Sequence, residues 1–77
     1  LKNARKVVGA KQAAKAVEKG QASLVFLAAD ADIRVIAPIR EACARAGVAV
    51  ETAPSMVELG KACGIEVGAA AAAVLRV

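Results

Sequence analysis

Two β-branched residues run into a glycine, Val7-Val8-Gly9, and three lysines follow at intervals of four, Lys11, Lys15 and Lys19. On a helix, residues four apart are neighbours, so the three ammonium groups fall near one face. Like charges so placed are mildly destabilising, and an anion beside them relieves the repulsion. Gly9 has no Cβ, so the backbone there can turn tightly or lie close against a ligand. A helix opening at Lys11-Gln12 leaves unpaired N–H groups and partial positive charge at its start, which suits a phosphate. Lysine can donate to guanine O6 and N7, and glutamine can donate and accept at a base edge. Taken alone, the spacing fits better a glycine that ends a short strand, followed by a solvated lysine face.

Catalytic chemistry finds little support. The chain has no histidine, and neither Ser23 nor Ser55 has an evident base beside it in sequence. Asp30 and Asp32 lie where a strand gives way to a helix, a place where α/β folds put functional groups. The plainer role for the pair is one turn residue and one helix cap. Two carboxylates alone offer too few oxygens to hold a metal ion. There is no GxGxxG and no Walker A pattern. Cys43 and Cys63 lack zinc-type spacing, and they read as two buried thiols in preference to a disulfide. The expectation is a protein that is not an enzyme and carries no cofactor or metal.

Charge and composition narrow the partners. The 77 residues fit one domain, residues 1–77, with net charge +4 and pI near 9.5, which favours polyanions. Phe26 is the one aromatic residue, and its place in an apolar run marks it as buried. Readers of single-stranded RNA stack bases on exposed aromatic rings. Without such a platform, the chain suits a folded RNA feature with an opened groove or a flipped base. No apolar run reaches the ~18–20 residues of a membrane span, and no signal peptide is visible, so the chain reads as cytoplasmic with no membrane partner.

The elements that must position these groups alternate between strand and helix. Lys2 to Lys6 reads as a short basic helix or the end of a longer one, and Val7-Val8 as a brief strand. Lys11 to Lys19 is helical, with Ala13, Ala16 and Val17 as its apolar stripe and Gly20 as its stop. Leu24 to Ala28 is an unbroken apolar run, typical of a strand covered on both faces. Asp32 caps a helix from Ile33 to about Arg45, which Pro38 should kink or divide. Its inner face is Val35, Ile36, Ile39, Ala42, Cys43 and Ala46. A second strand runs from Val48 to Thr52. Ser55-Met56-Val57-Glu58 has capping-box spacing, so a third helix starts there and turns Leu59 and Ala62 inward. Ile65 to Ala71 is a loop of small residues, and Ala72 to Val77 is a final strand. The expected fold is α/β, a three-layer α/β/α sandwich with a mixed four-stranded sheet.

Three ordered stretches carry a resemblance. They are Gly9 to Gly20 (GAKQAAKAVEKG), Ala28 to Asp32 (AADAD) and Leu59 to Val67 (LGKACGIEV). Together they resemble the kink-turn RNA-binding family of ribosomal proteins, which includes an archaeal ribosomal and box C/D component. Lys11-Gln12 and the run Leu59 to Ala71 look most like its bacterial YbxF type. The resemblance implies binding to a kink-turn, a duplex sharply bent at a bulge flanked by sheared G·A pairs, in ribosomal RNA or a riboswitch. It places Gly9, Ala10, Lys11, Gln12 and Lys15 at the guanine edges and phosphates of those pairs. It places Glu66, Val67, Gly68, Ala69, Ala70 and Ala71 against the flipped-out bulge nucleotides, and Asp32 near the flipped base. It also implies a ribosome-associated monomer. Some positions depart from the family pattern. Ala10 stands where Thr is frequent, Met56 where some members have Lys, and Gly68 with its alanines gives no large apolar wedge.

Two other readings fit the same chain. One is a protein-interaction or appended recognition module on the same fold. The other is a small-molecule binder using the strand ends at Asp30 and Asp32.

Overall fold

A computed structural model of the chain describes residues 5–76. Seven elements follow in order: β1 (Lys6–Val8), α1 (Ala10–Glu18), β2 (Ala22–Ala28), α2 (Ile33–Ala46), β3 (Ala49–Ala53), α3 (Met56–Ala62) and β4 (Ala71–Leu75). The strands form one sheet in the order β1-β4-β2-β3. β4 runs antiparallel to both β1 and β2, with Val7 opposite Ala73 and Val25 opposite Ala73 on its other side. β2 and β3 are parallel, from Leu24 opposite Ala49 to Ala28 opposite Ala53. A parallel pair needs a crossover, and α2 supplies it. The sheet is mixed and four-stranded, as the alternation of elements implies.

Alternation along the two central strands divides the core. Val25, Leu27, Ala71 and Ala73 point to one face, where they meet Ala13, Ala16 and Val17 of α1 and Ile36, Ile39, Ala42 and Cys43 of α2. Ala28 and Ala72 join Leu59 and Cys63 on the other face, with Phe26 and Val8 packed against them. The result is three layers, with α1 and α2 on one side of the sheet and α3 on the other. The alanines of β4 suit this arrangement, since small side chains on both faces of a central strand let the layers approach closely. Cys43 and Cys63 are free, buried, and sorted into clusters on opposite faces of the sheet, so no disulfide joins them.

Several local expectations are corrected. The basic helix assigned to Lys2–Lys6 falls largely outside the described residues, and Lys6 itself opens β1. Pro38 neither ends nor divides α2, which runs unbroken for 14 residues. Pro38 and Arg34, whose carbonyl loses the missing N–H, are both exposed, so water can take that place. Val35 is 40% exposed and Ala46 is exposed, because the inner stripe holds only Ile36, Ile39, Ala42 and Cys43. On α3 the inward residues are Leu59 and Gly60, joined by the C-cap Cys63, while Ala62 faces solvent. Phe26 is half-buried: the short α3 covers only part of its face of the sheet, and the ring borders an open groove with Thr52, Pro54 and Glu58. The last strand is Ala71–Leu75, starting one residue earlier than the expected run Ala72 to Val77 and leaving Arg76 beyond it, while Val77 lies outside the described residues.

Candidate nucleic-acid interface

The β1–α1, β2–α2, β3–α3 and α3–β4 connections all leave the sheet at one end, since β4 is antiparallel to β1 and β2 while β3 is parallel to β2. Backbone hydrogen bonds stitch them together there. The Gly9 amide donates to the Ala71 carbonyl at 2.8 Å, and the Ala28 amide to the Ala70 carbonyl at 2.9 Å. The loop before β4 is therefore fixed beside both the start of α1 and the end of β2.

Gly9 is the N-cap of α1 with φ 115° and ψ 147°, a positive-φ conformation that a Cβ would strain. No side chain caps α1, and its first turn holds no acid, so its N-terminal N–H groups keep their positive end for an external acceptor. The Gln12 side chain folds back over this turn, with its Oε1 only 2.6 Å from where a Cβ on Gly9 would stand. Lys11, Gln12 and Lys15 are exposed, and Ala10 is half-buried against the core. The buried stripe of Ala13, Ala16 and Val17 turns this polar row outward.

Asp30 and Asp32 are engaged by backbone. Asp32 caps α2, accepting from the Arg34 amide at 2.9 Å, and pairs with the Arg34 guanidinium at 2.9 Å. The guanidinium first, and the amide second, hold its carboxyl below the usual aspartate range. Asp30 accepts from the Met56 amide at 2.8 Å, and Ser55 accepts from the Glu58 amide at 3.1 Å, so the seven-residue α3 has two side-chain caps. Asp30 thereby ties the β2–α2 loop to the start of α3. The Ser23 hydroxyl donates to the Val74 carbonyl at 3.2 Å, away from this end. Among the described residues no group of three His, Cys, Asp or Glu could hold a metal ion.

The loop from Gly64 to Ala70 is not free to drift. Its ends hold to α3 through the Ile65 amide on the Gly60 carbonyl at 3.0 Å and the Ala69 amide on the Met56 carbonyl at 3.0 Å. Gly60 is buried, and a Cβ there would collide with the Val67 carbonyl oxygen. A Cβ on Gly68 would stand 3.1 Å from the Met56 Cβ. Both glycines are thus small because the loop lies flat on α3. Ala69 and Ala71 are buried, so their methyl groups hold the loop and face no ligand. Glu66, Val67 and Gly68 face outward.

The same end carries exposed apolar surface that composition did not reveal. Val67 is 71% exposed and Ile33, the first residue of α2, is 66% exposed. Val67 is thus the exposed apolar side chain of a loop whose Gly68 and alanines offer no large one. Ile33 was legible as a wheel position, since it shares the outer face of α2 with Ala37, Arg40 and Ala44. No helix among the described residues is long and apolar enough to cross a membrane.

This geometry has close counterparts. A 15.5 kDa RNA-binding protein of Giardia lamblia superposes with a TM-score of 0.89 at 35% identity, over 95% of this chain and 62% of that one. This chain is 47% identical over 70 residues to the RNA-binding protein YbxF of Geobacillus stearothermophilus, spanning 91% of this chain and 85% of that protein. It is 40% identical over 68 residues to the large ribosomal subunit protein eL8 of Nitrosopumilus maritimus, spanning 87% of this chain and only 53% of that protein. The profile of the Ribosomal protein L7Ae/L30e/S12e/Gadd45 family matches residues 1–77. By fold, by sequence and over its whole length, the chain belongs to the Ribosomal protein L7Ae/L30e/S12e/Gadd45 family.

Proposed function

We propose that this protein binds RNA without turning it over, and that it recognises a kink-turn through the end of the sheet where its four connections meet. One observation carries this reading: the uncapped start of α1, with Lys11, Gln12 and Lys15 exposed, is hydrogen-bonded through Gly9 and Ala71 to the loop that presents Val67. Positive helix end, base-edge donors and an apolar prong then sit on one rigid surface. A sheared G·A pair opens its guanine edge toward such a row, and a flipped nucleotide can lie on Val67 and Gly68. Names given to relatives agree, since YbxF and the Giardia protein are called RNA-binding proteins. The groups that could have served as bases, Asp30 and Asp32, are occupied as helix caps, which supports binding over catalysis.

In this reading Gly9, Ala10, Lys11, Gln12 and Lys15 form the guanine and phosphate side. Glu66, Val67, Gly68 and Ala70 line the bulge side, and Ala69 and Ala71 support it from within. Asp32 acts through the α2 start and Arg34. The protein works as a monomeric single domain, residues 1–77, in the cytoplasm and in contact with ribosomal RNA.

The test is a double cycle of two proteins and two RNAs. Gln12→Ala should cost about 1–3 kcal/mol on a kink-turn with its G·A pairs, the worth of one good base contact. It should cost little on RNA in which Watson–Crick pairs replace them. Equal losses on both RNAs would make this helix end a general anion site.

A further inference from the structure

The opposite end of the sheet carries a second basic feature. A cavity of about 270 Å³ there is lined by Arg5, Gly20, Gln21, Leu75 and Arg76. That is below the ~300–1,000 Å³ of sites for drug-sized ligands, and of a scale for a small anion. Three chain segments build it. The Leu75 amide donates to the Arg5 carbonyl at 2.8 Å, and the Arg76 amide donates to the Gln21 carbonyl at 2.7 Å. These bonds use backbone alone, and among the described residues neither guanidinium has an ion-pair partner. Arg5 and Arg76 are exposed, and among the described residues no acidic side chain lines the cavity. Gly20, at φ 70°, turns the chain out of α1, and nothing lies within 4 Å of where its Cβ would stand. Lys19, the exposed C-cap of α1, is its neighbour in sequence.

From this geometry we infer a second anion site, in which Arg5 and Arg76 take a phosphodiester group of an RNA backbone. The planar guanidinium fork matches the oxygens of a phosphate better than an ammonium does. Two such groups on adjacent strands can hold one phosphate from two sides. The site lies across the length of β2 from the loop end, roughly 20 Å at ~3.3 Å per residue. A strand bound there is therefore a different stretch of RNA from the one at Gln12. The protein would join two RNA segments, reading one and gripping the other by its charge alone. This inference rests on the RNA-binding reading only for the identity of the anion's carrier.

The experiment uses the chain with a labelled plain RNA duplex that has no bulge. Its binding is titrated at several salt concentrations, with and without saturating unlabelled kink-turn RNA. The site predicts that wild type captures the duplex in both settings. Arg5→Gln/Arg76→Gln should weaken that capture, and its log K against log salt should flatten by up to about 0.9, the worth of the one phosphate the pair neutralises. Kink-turn affinity of the same variant should stay within twofold, which also shows that it is folded. Inorganic phosphate at millimolar concentration should not displace the duplex; displacement would assign the site to free phosphate instead. Capture by the double variant equal to that by wild type would overturn the inference. So would a wild type that captures no duplex at low salt. Failure of kink-turn binding, read separately, would count against the proposed function and not against this site.

Discussion

Gly60→Ala inverts an ordinary rule. In an exposed helix interior, alanine is better than glycine by ~0.8–1.0 kcal/mol. Gly60 lies within α3 and is buried, and the new Cβ would run into the Val67 carbonyl oxygen, with the Val67 carbonyl carbon at 3.1 Å and the Gly68 Cα at 3.3 Å. These are backbone atoms, and hydrogen bonds from Ile65 to Gly60 and from Ala69 to Met56 fasten the loop on either side of them. Overpacking of this kind costs about 1–3 kcal/mol. Set against the propensity gain, the net change runs from about zero to 2 kcal/mol of destabilisation. In a domain of this size each kcal/mol moves Tm by about 4–8 °C. The alternative for the chain is to lift Val67 and Gly68 off α3, which keeps the helix and spoils the surface that Val67 presents. Thermal melts and kink-turn titrations read the two routes together. Either Tm falls, or affinity falls at unchanged Tm with amide shifts confined to residues 64–70. A variant about 1 kcal/mol more stable, binding RNA as wild type does, would show that the loop does not rest on Gly60.

Other outcomes can be checked alongside. Lys15→Ala should weaken every RNA and reduce the salt slope by up to about 0.9, the expectation for a proposed phosphate contact outside base readout; filter binding at four salt concentrations measures it. Leu27→Ala should cost about 2–5 kcal/mol in urea melts, whereas Phe26→Ala should fall below the ~3–5 kcal/mol of a fully buried ring, because Leu27 is 0% exposed and Phe26 is half-buried. Asp32 has a depressed carboxyl, so its cap contributes above the unfolded value near ~3.9 and is lost as pH falls through the lower folded value. The stability difference between wild type and Asp32→Ala should therefore shrink as pH falls from about 5 toward 3, and a difference that stays constant would assign the cap's effect to something other than the charge.

Local signals were enough for the outline of the fold. Ala13, Ala16 and Val17 recur at helical spacing, Ser55 begins a capping box, Asp32 precedes an apolar period, and Gly20 and Gly47 take positive φ where the helices stop. Each depends on neighbours within four residues, so each is readable along the chain. Pro38 shows where such reading overreaches: a proline weakens a helix, but the packing of Ile36, Ile39 and Cys43 on the sheet outweighs that cost. Phe26 and Val35 show the same limit in the other direction. Hydropathy says that a residue prefers to be buried, and only the extent of the covering layer says whether it is.

The site divides along the same line. Gly9, Lys11, Gln12 and Lys15 lie within the first two turns of α1 and their entry, so their shared face follows from the 3.6-residue period alone. Their meeting with residues 66–71 does not. It requires β4 to run antiparallel beside β1, bringing Ala71 to Gly9 across more than sixty residues of sequence. The sequence by itself determined which groups could face an anion. Tertiary structure alone decided that Ala69 and Ala71 turn inward, that Gly60 is a seat for the Val67 carbonyl, and that Arg5 and Arg76 meet at the far end. Strand order and layer coverage are properties of long-range pairing, and no local period encodes them.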